Sequence, residues 1–236
     1  MSVDLVGRVH TLSTGTVGEL RYGKRSIATA FVKAPVEGRV RLGTLGFPDD
    51  EHVYWDHGGP DKAALVYPFE HYAHWRALGF DLPDAGAFGE NLTVTGLVER
   101  DVHLGDVFEI GTSVVQVSQP RSPCYKIAAR YGRKELSVLA QDFGLIGYLL
   151  RVLTEGEVGA GDDMRLVERD DHGVTVAEAG RAVNVDRTDL DAARRVLSVA
   201  TLGSSARRIL TKRIDGAGDG GLDTERLFLA EDAPGA

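Results

Sequence analysis

The segment VVQVSQPRSPCYKIAARYGRK, residues 114–134, joins a strand pattern to a helix pattern and carries the one cysteine of the 236-residue chain. Residues 114–118 form a strand-like run. Ser122 is a favourable N-cap for a following helix, and Pro123 suits the first helical position. The segment therefore predicts a strand, a tight connection and a short helix that has Cys124 in its first turn and ends near Gly132, a favourable C′ residue.

This segment is basic although the chain is acidic. The chain has a formal net charge of −8, yet the stretch from Gln119 to Lys134 contains no acid. Its cationic residues are Arg121, Lys126, Arg130, Arg133 and Lys134. A basic window in an acidic protein favours a local binding site for an anion over a generally basic surface.

The predicted surroundings of Cys124 favour its thiolate form. Free backbone amides at a helix start, the helix dipole and the nearby cations Arg121 and Lys126 all lower the pKa of a thiol. The segment therefore predicts a low-pKa cysteine beside an anion-binding surface. The alternative is a small buried core residue, which is what most free cysteines are.

Composition limits the class of protein. The length of 236 residues allows one large β domain, or one domain with a small appendage, and 43% hydrophobic residues suffice for a core. No apolar run is long enough to span a membrane, and no secretory signal pattern opens the chain. A single cysteine excludes an internal disulfide and fits the reducing cytoplasm. Because the acidic balance argues against general nucleic-acid binding, we expect a cytoplasmic protein that binds neither nucleic acid nor a membrane.

Short strands separated by glycines dominate the first part of the chain. Apolar or alternating runs bounded by Gly and Pro predict strands at 3–9, 27–31, 91–94, 104–111, 114–117, 147–153 and 161–167. Helical patterns with capping residues predict further helices at 68–78, 135–143, 174–183, 188–199 and 204–214. Thr188 with Asp191 resembles a capping box, and Ser204 or Ser205 can cap the last helix.

The pattern changes after Arg169, which predicts a domain boundary. We expect residues 1–169 to form a mainly β domain and residues 172–214 to form a small bundle of three short helices. Residues 215–236 begin with a glycine-rich linker composition. We expect them to form a flexible tail, unless apolar residues such as Leu227 dock.

Two glycine-rich loops provide further candidate site residues. In residues 56–63, Gly58 and Gly59 allow the backbone to approach a ligand closely, and Lys62 adds a charge. His57 is a candidate proton donor or ligand in this loop, or else a hydrogen-bonded histidine of a turn.

The second loop, residues 86–92, holds Glu90. This residue is a candidate general acid/base or orienting group, or else a surface carboxylate. On the helix predicted at 68–78, His71 and His74 share a face, but metal binding would need a third ligand that the nearby sequence does not supply. We therefore expect these two histidines to serve surface or interface packing.

Taken together, these segments resemble the MOSC domain, a family named for the C-terminal domain of molybdenum cofactor sulfurases. The resemblance is closest to the bacterial YiiM-like branch, which has a small C-terminal three-helix domain, and it covers roughly residues 1–214 in the same order. The segments that carry it are HGGPDKA at 57–63, YPFEHY at 67–72, FGENL at 88–92, GD at 105–106 and PRSPC at 120–124.

The resemblance implies a fold and a reaction. The implied fold is mainly β with helices: a MOSC-type, largely antiparallel, closed or nearly closed β-barrel followed by a small three-helix domain. The implied reaction is the reduction of N-hydroxylated bases and related N-oxygenated compounds, with Cys124, His57 and Glu90 as the catalytic residues. Because the sequence contains no flavin, haem or iron–sulfur motif, the electrons must come from a separate donor protein. A homodimer is also expected.

The implied ligand is the molybdenum cofactor, a pterin dithiolene that carries a phosphate, with Cys124 as the metal ligand. Physical chemistry agrees, because a thiolate suits a thiophilic metal and a phosphate needs cations and free amides. The residues expected to hold the cofactor are Gly58, Gly59, Lys62, Asn91, Arg121, Lys126 and Arg130.

Two stretches depart from the family pattern. Residues 49–55 stand where the family usually has Gly-Asp and small residues, which bears on substrate preference. Residues 202–206 stand where related sequences often have a tryptophan, which bears on the docking of the C-terminal helices.

Three other functions fit the same residues. The first is a sulfur carrier or sulfurtransferase that holds a persulfide on Cys124. The second is a cofactor-binding module without catalysis. The third is a cysteine hydrolase that uses Cys124 with His57, because such partners need to be adjacent only in space.

Overall fold

The computed structural model describes residues 4–216 and 226–228 of the chain. The strands in these residues are β1 (Val6–Thr14), β2 (Gly18–Tyr22), β3 (Arg25–Thr29), β4 (Ala34–Pro35), β5 (Arg39–Leu42), β6 (Ala64–Pro68), β7 (Leu92–Thr95), β8 (Val107–Ile110), β9 (Ser113–Pro120), β10 (Tyr148–Thr154), β11 (Gly156–Gly159) and β12 (Asp163–Glu168). The α-helices in the same residues are α1 (Glu70–Ala77), α2 (Tyr125–Tyr131), α3 (Leu136–Phe143), α4 (Val176–Asn184), α5 (Leu190–Leu197) and α6 (Ser204–Ile214). Two single turns of 3-10 helix, Trp55–His57 and Pro60–Lys62, precede β6.

A closed β-barrel forms the centre of the described part of the chain. Seven strands pair in the order β12–β8–β9–β10–β6–β7–β1, and pairing of β1 with β12 closes the ring. All neighbours in the ring are antiparallel except β6 and β7, which are parallel and are joined through α1. The short strand β4 adds to the outside of β1. The predicted largely antiparallel, closed barrel is therefore confirmed.

The barrel and the C-terminal helices share one hydrophobic core. Val115 and Val117 of β9 belong to the same buried cluster as Ala179 of α4 and Leu210 of α6. In α4, a side chain at Gly180 would place its Cβ 2.8 Å from Ile146, so glycine allows this helix to pack closely on the barrel. The boundary predicted at 169–172 stays a prediction, but burial is continuous across it.

A second cluster consists mainly of aromatic side chains and lies beside the barrel. It joins α1, the loop before β7 and α3 through Tyr67, Tyr72, Trp75, Phe88 and Leu136, all of which are fully buried. Stacking of Tyr67 on Phe88, with ring centroids 4.5 Å apart, adds directional contacts to the burial of apolar area.

The ends of several helices differ from the predicted ends. Helix α1 begins at Glu70 because Pro68 is the last residue of β6. The N-cap of α5 is Asp189, whose carboxylate accepts a hydrogen bond from the amide of Ala192, so the expected cap at Thr188 is wrong. Helix α6 is preceded by Gly203 without a side-chain cap. Gly132 and Gly144, which directly follow α2 and α3, both adopt left-handed conformations.

The observed ends of two strands also differ by several residues from the predicted ends. The first strand runs from Val6 to Thr14 rather than over 3–9, because its pairing with β7 and β12 extends beyond the apolar run. Strand β9 continues through Pro120, which pairs with Tyr148. Within residues 4–216 and 226–228, no helix combines the length and apolarity that crossing a membrane would require.

Candidate active site

A cavity of about 510 Å³ lies where three parts of the chain meet. The first is the HGG loop, residues 56–63, which leads into β6. The second is the cysteine loop, residues 121–124, which joins β9 to α2. The third is helix α6, which contributes the face that contains Ser205, Arg208 and Lys212. Folding therefore brings the two predicted loops and the last predicted helix together around one cavity.

Cys124 lines this cavity and is partly exposed. It is the N-cap residue of α2, with extended backbone angles (φ −135°, ψ 165°), and the helix begins at Tyr125. The expected N-cap at Ser122 and the placement of Cys124 in the first turn are therefore wrong by two residues. The carbonyl of Cys124 accepts hydrogen bonds from the Ile127 amide (3.1 Å) and the Ser137 hydroxyl (2.9 Å), so the cysteine stands at the start of a well-anchored helix.

The backbone of the cysteine loop is fixed by its neighbours. The amide of Arg121 donates to the carbonyl of Gly147 (3.1 Å), and the side-chain amide of Asn184 donates to the carbonyl of Arg121 (3.1 Å). The Gly147 amide in turn donates to the buried carboxylate of Glu99 (2.7 Å), which also pairs with His71 Nε2 at 2.7 Å. His71 thus serves the support of this loop, as part of a buried pair.

Arg121 carries a buried charge that faces the cavity. Its side chain lines the cavity and only 8% of the residue is exposed. In the described part of the chain its guanidinium has no hydrogen-bond acceptor and no carboxylate within ion-pair distance. The Cζ atom of Arg121 lies 5.9 Å from the centroid of the Phe31 ring. Burial lowers the pKa of Arg121, and the negative charge of a Cys124 thiolate opposes this shift.

Lys126 is the second buried cation beside Cys124. Only 6% of the residue is exposed, and its Nζ lies 3.4 Å from Nδ1 of His57. Within residues 4–216 and 226–228 it has no carboxylate partner at ion-pair distance. Burial lowers the pKa of Lys126, whereas the charge of Cys124 raises it. Two cations that have no acidic partner among the described residues therefore flank one cysteine, which leaves a site for a negative charge.

His57 lines the cavity close to the charges of three cationic side chains. Desolvation of the ring, followed by the charges of Lys126, Lys62 and Arg121, lowers the pKa of His57 to about 3. The imidazole is therefore neutral near pH 7. Because the ammonium of Lys126 donates to Nδ1, the ring proton is carried by Nε2.

The HGG loop is fastened to the barrel and to α6 by two aspartates. Asp61 Oδ1 binds Arg151 of β10 (2.8 Å), and Asp61 Oδ2 accepts the amide of Ser204 (2.8 Å). Asp56 Oδ1 accepts the hydroxyl of Ser205 (2.8 Å). The departure at residues 202–206 thus does not prevent docking, because the start of α6 binds this loop directly.

The same aspartates hold cationic side chains in the cavity wall. Asp56 pairs with Lys62 at 3.0 Å and with Arg208 at 3.3 Å. Partial burial alone would raise the pKa of Asp56, but the hydrogen bond from Ser205 and the charges of Lys62 and Arg208 lower it. Lys62 is therefore neutralised by protein, unlike Arg121 and Lys126.

The two glycines of the HGG loop serve different purposes. A Cβ at Gly58 would lie 2.5 Å from the ring of His52, so this glycine allows His52 of the unusual segment 49–55 to pack against the loop. Gly59 has φ 103° and open space at its Cβ position, so there the backbone conformation favours glycine. The close approach of this backbone to a ligand stays a prediction.

Three predicted site residues lie behind the wall or are already bonded. Glu90 is fully buried and does not line the cavity; it accepts hydrogen bonds from the Tyr72 hydroxyl, the Phe88 amide (2.9 Å) and Thr93 (3.1 Å). This makes it a support of the loop before β7. Asn91 lines the cavity, but its side-chain amide is bonded to Leu65, Ser13 and Asp50.

Arg130 also lies outside the cavity wall. Its guanidinium donates to the carbonyl of Gly86 and lies over the rings of Phe31 and Tyr131. Arg133 pairs with Glu135 at 2.6 Å. The basic window therefore divides: its first two cations, Arg121 and Lys126, line the cavity, whereas these two brace the surrounding structure.

The cationic wall formed by the C-terminal part of the chain was missed from sequence. Eight lysine and arginine residues line the cavity among the described residues, against three acids. Arg208, Lys212, Arg213 and Arg226 all follow residue 200, in a part of the sequence expected to form a separate bundle and a tail. The signal was present, because residues 204–214 contain four basic residues and no acid.

In the described part of the chain, no group of three or more His, Cys, Asp or Glu side chains is arranged to hold a metal ion. His71 is paired with Glu99 as described above, and His74 packs against Phe143 at 5.2 Å. His71 is therefore buried in an ion pair rather than packed at the surface as expected.

Comparison with known proteins identified one family and several relatives. The family model described as MOSC domain matches residues 53–165. YflK of Bacillus subtilis is 43% identical over 209 residues, which are 88% of this chain and 94% of YflK. Protein YiiM of Escherichia coli is 39% identical over 207 residues, which are 85% of this chain and 89% of YiiM. A protein named reductase from Gibberella moniliformis is 36% identical over 147 residues, which are 61% of this chain but 26% of that protein.

A solved structure has the same architecture. The crystal structure of YiiM from Geobacillus stearothermophilus matches with a TM-score of 0.75 and 33% sequence identity. The match covers 88% of this chain and 99% of that structure. The family model ends before α4, so the wall formed by α6 lies beyond it, whereas the likeness to the solved structure extends over most of the chain.

Proposed function

Because this chain belongs to the MOSC domain family, we propose that it binds the molybdenum cofactor and reduces N-hydroxylated bases or related N-oxygenated compounds. The electrons would come from a separate donor protein, since the sequence contains no motif for a flavin, a haem or an iron–sulfur cluster. The protein named reductase among the relatives supports the reaction class.

One observation carries the proposal. Cys124 shares a cavity with Arg121 and Lys126, two buried cations without a carboxylate partner in the described residues. Desolvating a cation without an anion is costly, so a folded protein keeps this arrangement most readily where a ligand supplies the missing negative charge. A thiol and two cations are together what a thiophilic metal bound to a phosphate-bearing group requires.

The donor set therefore fits the cofactor. Cys124 would be the protein ligand of molybdenum, and Arg121 and Lys126 would balance the anionic groups. Gly58 and Gly59 would let the backbone lie near the pterin. When bound, the cofactor supplies two-electron reduction of an N–O bond, a reaction that also consumes two protons and releases water.

His57 is the candidate for proton handling. In the described structure it is neutral and carries its proton on Nε2. An anion bound near Lys126 and Arg121 would offset two of the charges that lower the pKa of His57. The pKa would then rise toward the range in which an imidazole can donate a proton near neutral pH. Glu90 would act indirectly, by holding the loop before β7.

The test is the molybdenum and pterin content of the protein purified from a host that makes the cofactor. We expect equimolar molybdenum in the wild type and a large loss in Cys124→Ser, with unchanged circular dichroism. Arg133→Ala is the matched control, because it removes a charge from the same basic window outside the cavity. Reduction of an N-hydroxylated base with a supplied reductant should follow the metal content.

Absence of molybdenum from the wild type at full cofactor supply would sink the proposal. A reducible adduct of one sulfur atom on Cys124, found by mass spectrometry without metal, would favour the sulfur-carrier function instead. Bound cofactor without turnover of any N-hydroxylated compound, even with a reductant, would leave a cofactor-binding module.

A further inference from the structure

The cations that line the cavity lie at two depths. Arg121 and Lys126, beside Cys124, are buried, whereas Arg208 and Lys212 on α6 are exposed. The cavity therefore has a deep end at the cysteine loop and an open end at α6. The proposed function uses the cations of the deep end for the cofactor, and it leaves the charges of α6 without a role.

One face of α6 forms the open end. Ser205, Arg208 and Lys212 are spaced by three and four residues, which places their side chains along the same side of the helix. All three line the cavity. The start of the helix is fixed to the barrel, because the amide of Gly203 donates to the carbonyl of Ser118 (2.8 Å). The face therefore has a fixed place beside β9.

Positive charge is in excess on this face. Asp56 pairs with both Lys62 (3.0 Å) and Arg208 (3.3 Å). Burial lowers the pKa of Lys62, Asp56 opposes this shift, and the charge of Arg208 adds to it, so the two cations lie within electrostatic reach of each other. Lys212 has no carboxylate within ion-pair distance in the described part of the chain. Three cations therefore have one carboxylate among them, which leaves two positive charges.

Other charged side chains of the cavity wall are bonded elsewhere. Asp50 pairs with Lys33, and Glu51 accepts a hydrogen bond from the amide of Val17 (2.5 Å). Neither acid forms an ion pair with α6 in the described part of the chain. Arg213 donates to two carbonyls at the end of α4. The excess positive charge therefore lies with Arg208 and Lys212.

Arg226 contributes to the deep end rather than to α6. It donates to the carbonyl of Pro123 and to Oε1 of Gln141 at 2.7 Å, and the neighbouring Leu227 is buried. These residues belong to the stretch 215–236, for which the sequence predicts a flexible tail. Most of that stretch lies outside the described residues, but Arg226 contacts the cysteine loop and α3.

We propose that Arg208 and Lys212 bind a phosphate monoester that the substrate carries. A phosphate monoester has close to two negative charges near neutral pH, which matches the two positive charges in excess. The planar guanidinium of Arg208 suits two phosphate oxygens, and the ammonium of Lys212 supplies a point charge. The substrate is then an N-hydroxylated nucleotide rather than a free base, and this assignment of the phosphate to the substrate rests on the proposed function.

The position of the face favours the substrate over the cofactor as the source of the phosphate. Cys124, which would hold the metal, lies at the deep end with two buried cations that would balance the cofactor. A substrate enters from solvent and reacts at the metal, so its remote part lies at the open end. Exposed cations at the entrance of a cavity also attract an anionic substrate.

Binding to the full-length protein from a host that makes the cofactor tests the phosphate site without turnover. The two probes are cytidine monophosphate and cytidine, each with an N-hydroxylated base, and calorimetry measures their affinities without reductant in a buffer that contains no phosphate. The variant is Lys212→Ala, because this lysine is exposed and forms no hydrogen bond or ion pair in the described part of the chain. Arg194→Ala is the matched control, since it removes an exposed cation of α5 outside the cavity.

We expect the wild type to bind the monophosphate about tenfold more tightly than the nucleoside, and added salt should reduce this preference. Lys212→Ala should lose about a factor of five of the preference and keep its affinity for the nucleoside. Arg194→Ala should keep both. When a reductant is supplied, Lys212→Ala should raise KM for the monophosphate and leave kcat unchanged, because the phosphate is remote from the N–O bond that reacts.

Equal affinities of the wild type for the two probes would overturn the proposal, as would an undiminished preference in Lys212→Ala. Loss of molybdenum and pterin from Lys212→Ala would also overturn it, because α6 would then bind the phosphate of the cofactor. A preference for the monophosphate that depends on Lys212, in a protein that holds no molybdenum or reduces neither probe, would support the phosphate site and contradict the proposed function.

Discussion

Two buried charge clusters in this protein differ in whether the described residues provide partners of opposite charge. At the end of the barrel near β8, Asp106 is fully buried and accepts hydrogen bonds from the amides of His103 (2.8 Å) and Asp170 (3.1 Å). It also pairs with Arg169 at 3.2 Å. In the cavity, Arg121 and Lys126 are also buried, though slightly less deeply, yet they have no acidic partner in the described residues. Within the described part of the chain, the first cluster contains charges of both signs, whereas the two cations of the second have no carboxylate beside them.

Under the proposed function, this difference distinguishes the charges that stabilise the fold from those that bind the ligand. Both clusters contain residues of motifs that resemble the same family, so the motifs alone do not tell them apart. Gly105 and Asp106 directly precede β8 and contact Asp170, which lies between β12 and α4. A Cβ at Gly105 would lie 2.4 Å from the carboxylate of Asp170. Variants of the two clusters should therefore affect different properties.

Removing the buried carboxylate should affect stability alone. Asp106→Ala leaves two buried amides without acceptors and Arg169 without its partner, so we expect the free energy of unfolding to fall by about 3 kcal/mol. Chemical denaturation measures this. Cofactor content per folded protein should not change. The control is Asp101→Ala, which removes an exposed carboxylate nearby, and an equally large loss there would contradict the role assigned to Asp106.

Removing a cation from the cavity should change the titration of His57. We expect Lys126→Met to raise the pKa of His57 from about 3 toward its usual value, as measured by NMR. In the wild type only the unfolded state binds this proton between about pH 6.5 and 3, so stability declines as the pH falls through that window. The variant should flatten that decline. An unchanged His57 titration would show that Lys126 does not control it.

The HGG loop is intermediate between the two clusters, because its acids Asp56 and Asp61 form hydrogen bonds with residues of α6. Asp61→Asn keeps an acceptor for Ser204 but loses the charge that binds Arg151, and we expect a loss of about 1 kcal/mol. Amide exchange in residues 56–63 should rise. Asp163→Asn, which alters an exposed ion pair, is the control. Equal exchange in both variants would argue against the fastening role of Asp61.

The contribution of Asp61 to the stability of the fold decreases as the pH falls into the acidic range. Partial burial alone would raise the pKa of this carboxyl, but the hydrogen bonds from Ser204 and the charge of Arg151 lower it below its usual value. Its contribution is therefore present above the usual pKa near 3.8 and is lost as the pH falls through the depressed value.

Sequence reasoning located the elements of the site better than it assigned their roles. The basic window, the HGG loop and the short helix that ends at Gly132 were predicted correctly. The helix start was not, because Ser122 and Cys124 are both followed by acceptable helical residues. Contacts of Arg121 with Gly147 and Asn184, far away in sequence, keep the loop extended up to Cys124.

The roles of Glu90 and Arg130 could not be read from local sequence. A glutamate in a glycine-rich loop has the same local pattern whether it faces a ligand or a core. What decides is that Tyr72 and Thr93 surround it after folding. Likewise, Arg130 lies one helical turn after Lys126, but the carbonyl of Gly86 lies within its reach. Such assignments depend on tertiary contacts that no spacing rule contains.

The role of Arg121 as a buried cation that awaits an anionic ligand is tested by the unfolding temperature and cofactor content of Arg121→Met. We expect the cofactor-free variant to unfold at the wild-type temperature or above, because a buried cation that has no acidic partner in the described residues is replaced by an apolar side chain of similar length. We also expect the variant to retain little cofactor when produced in a competent host. A variant that unfolds several degrees lower, as expected for Asp106→Ala, and still carries a full complement of cofactor would contradict this role.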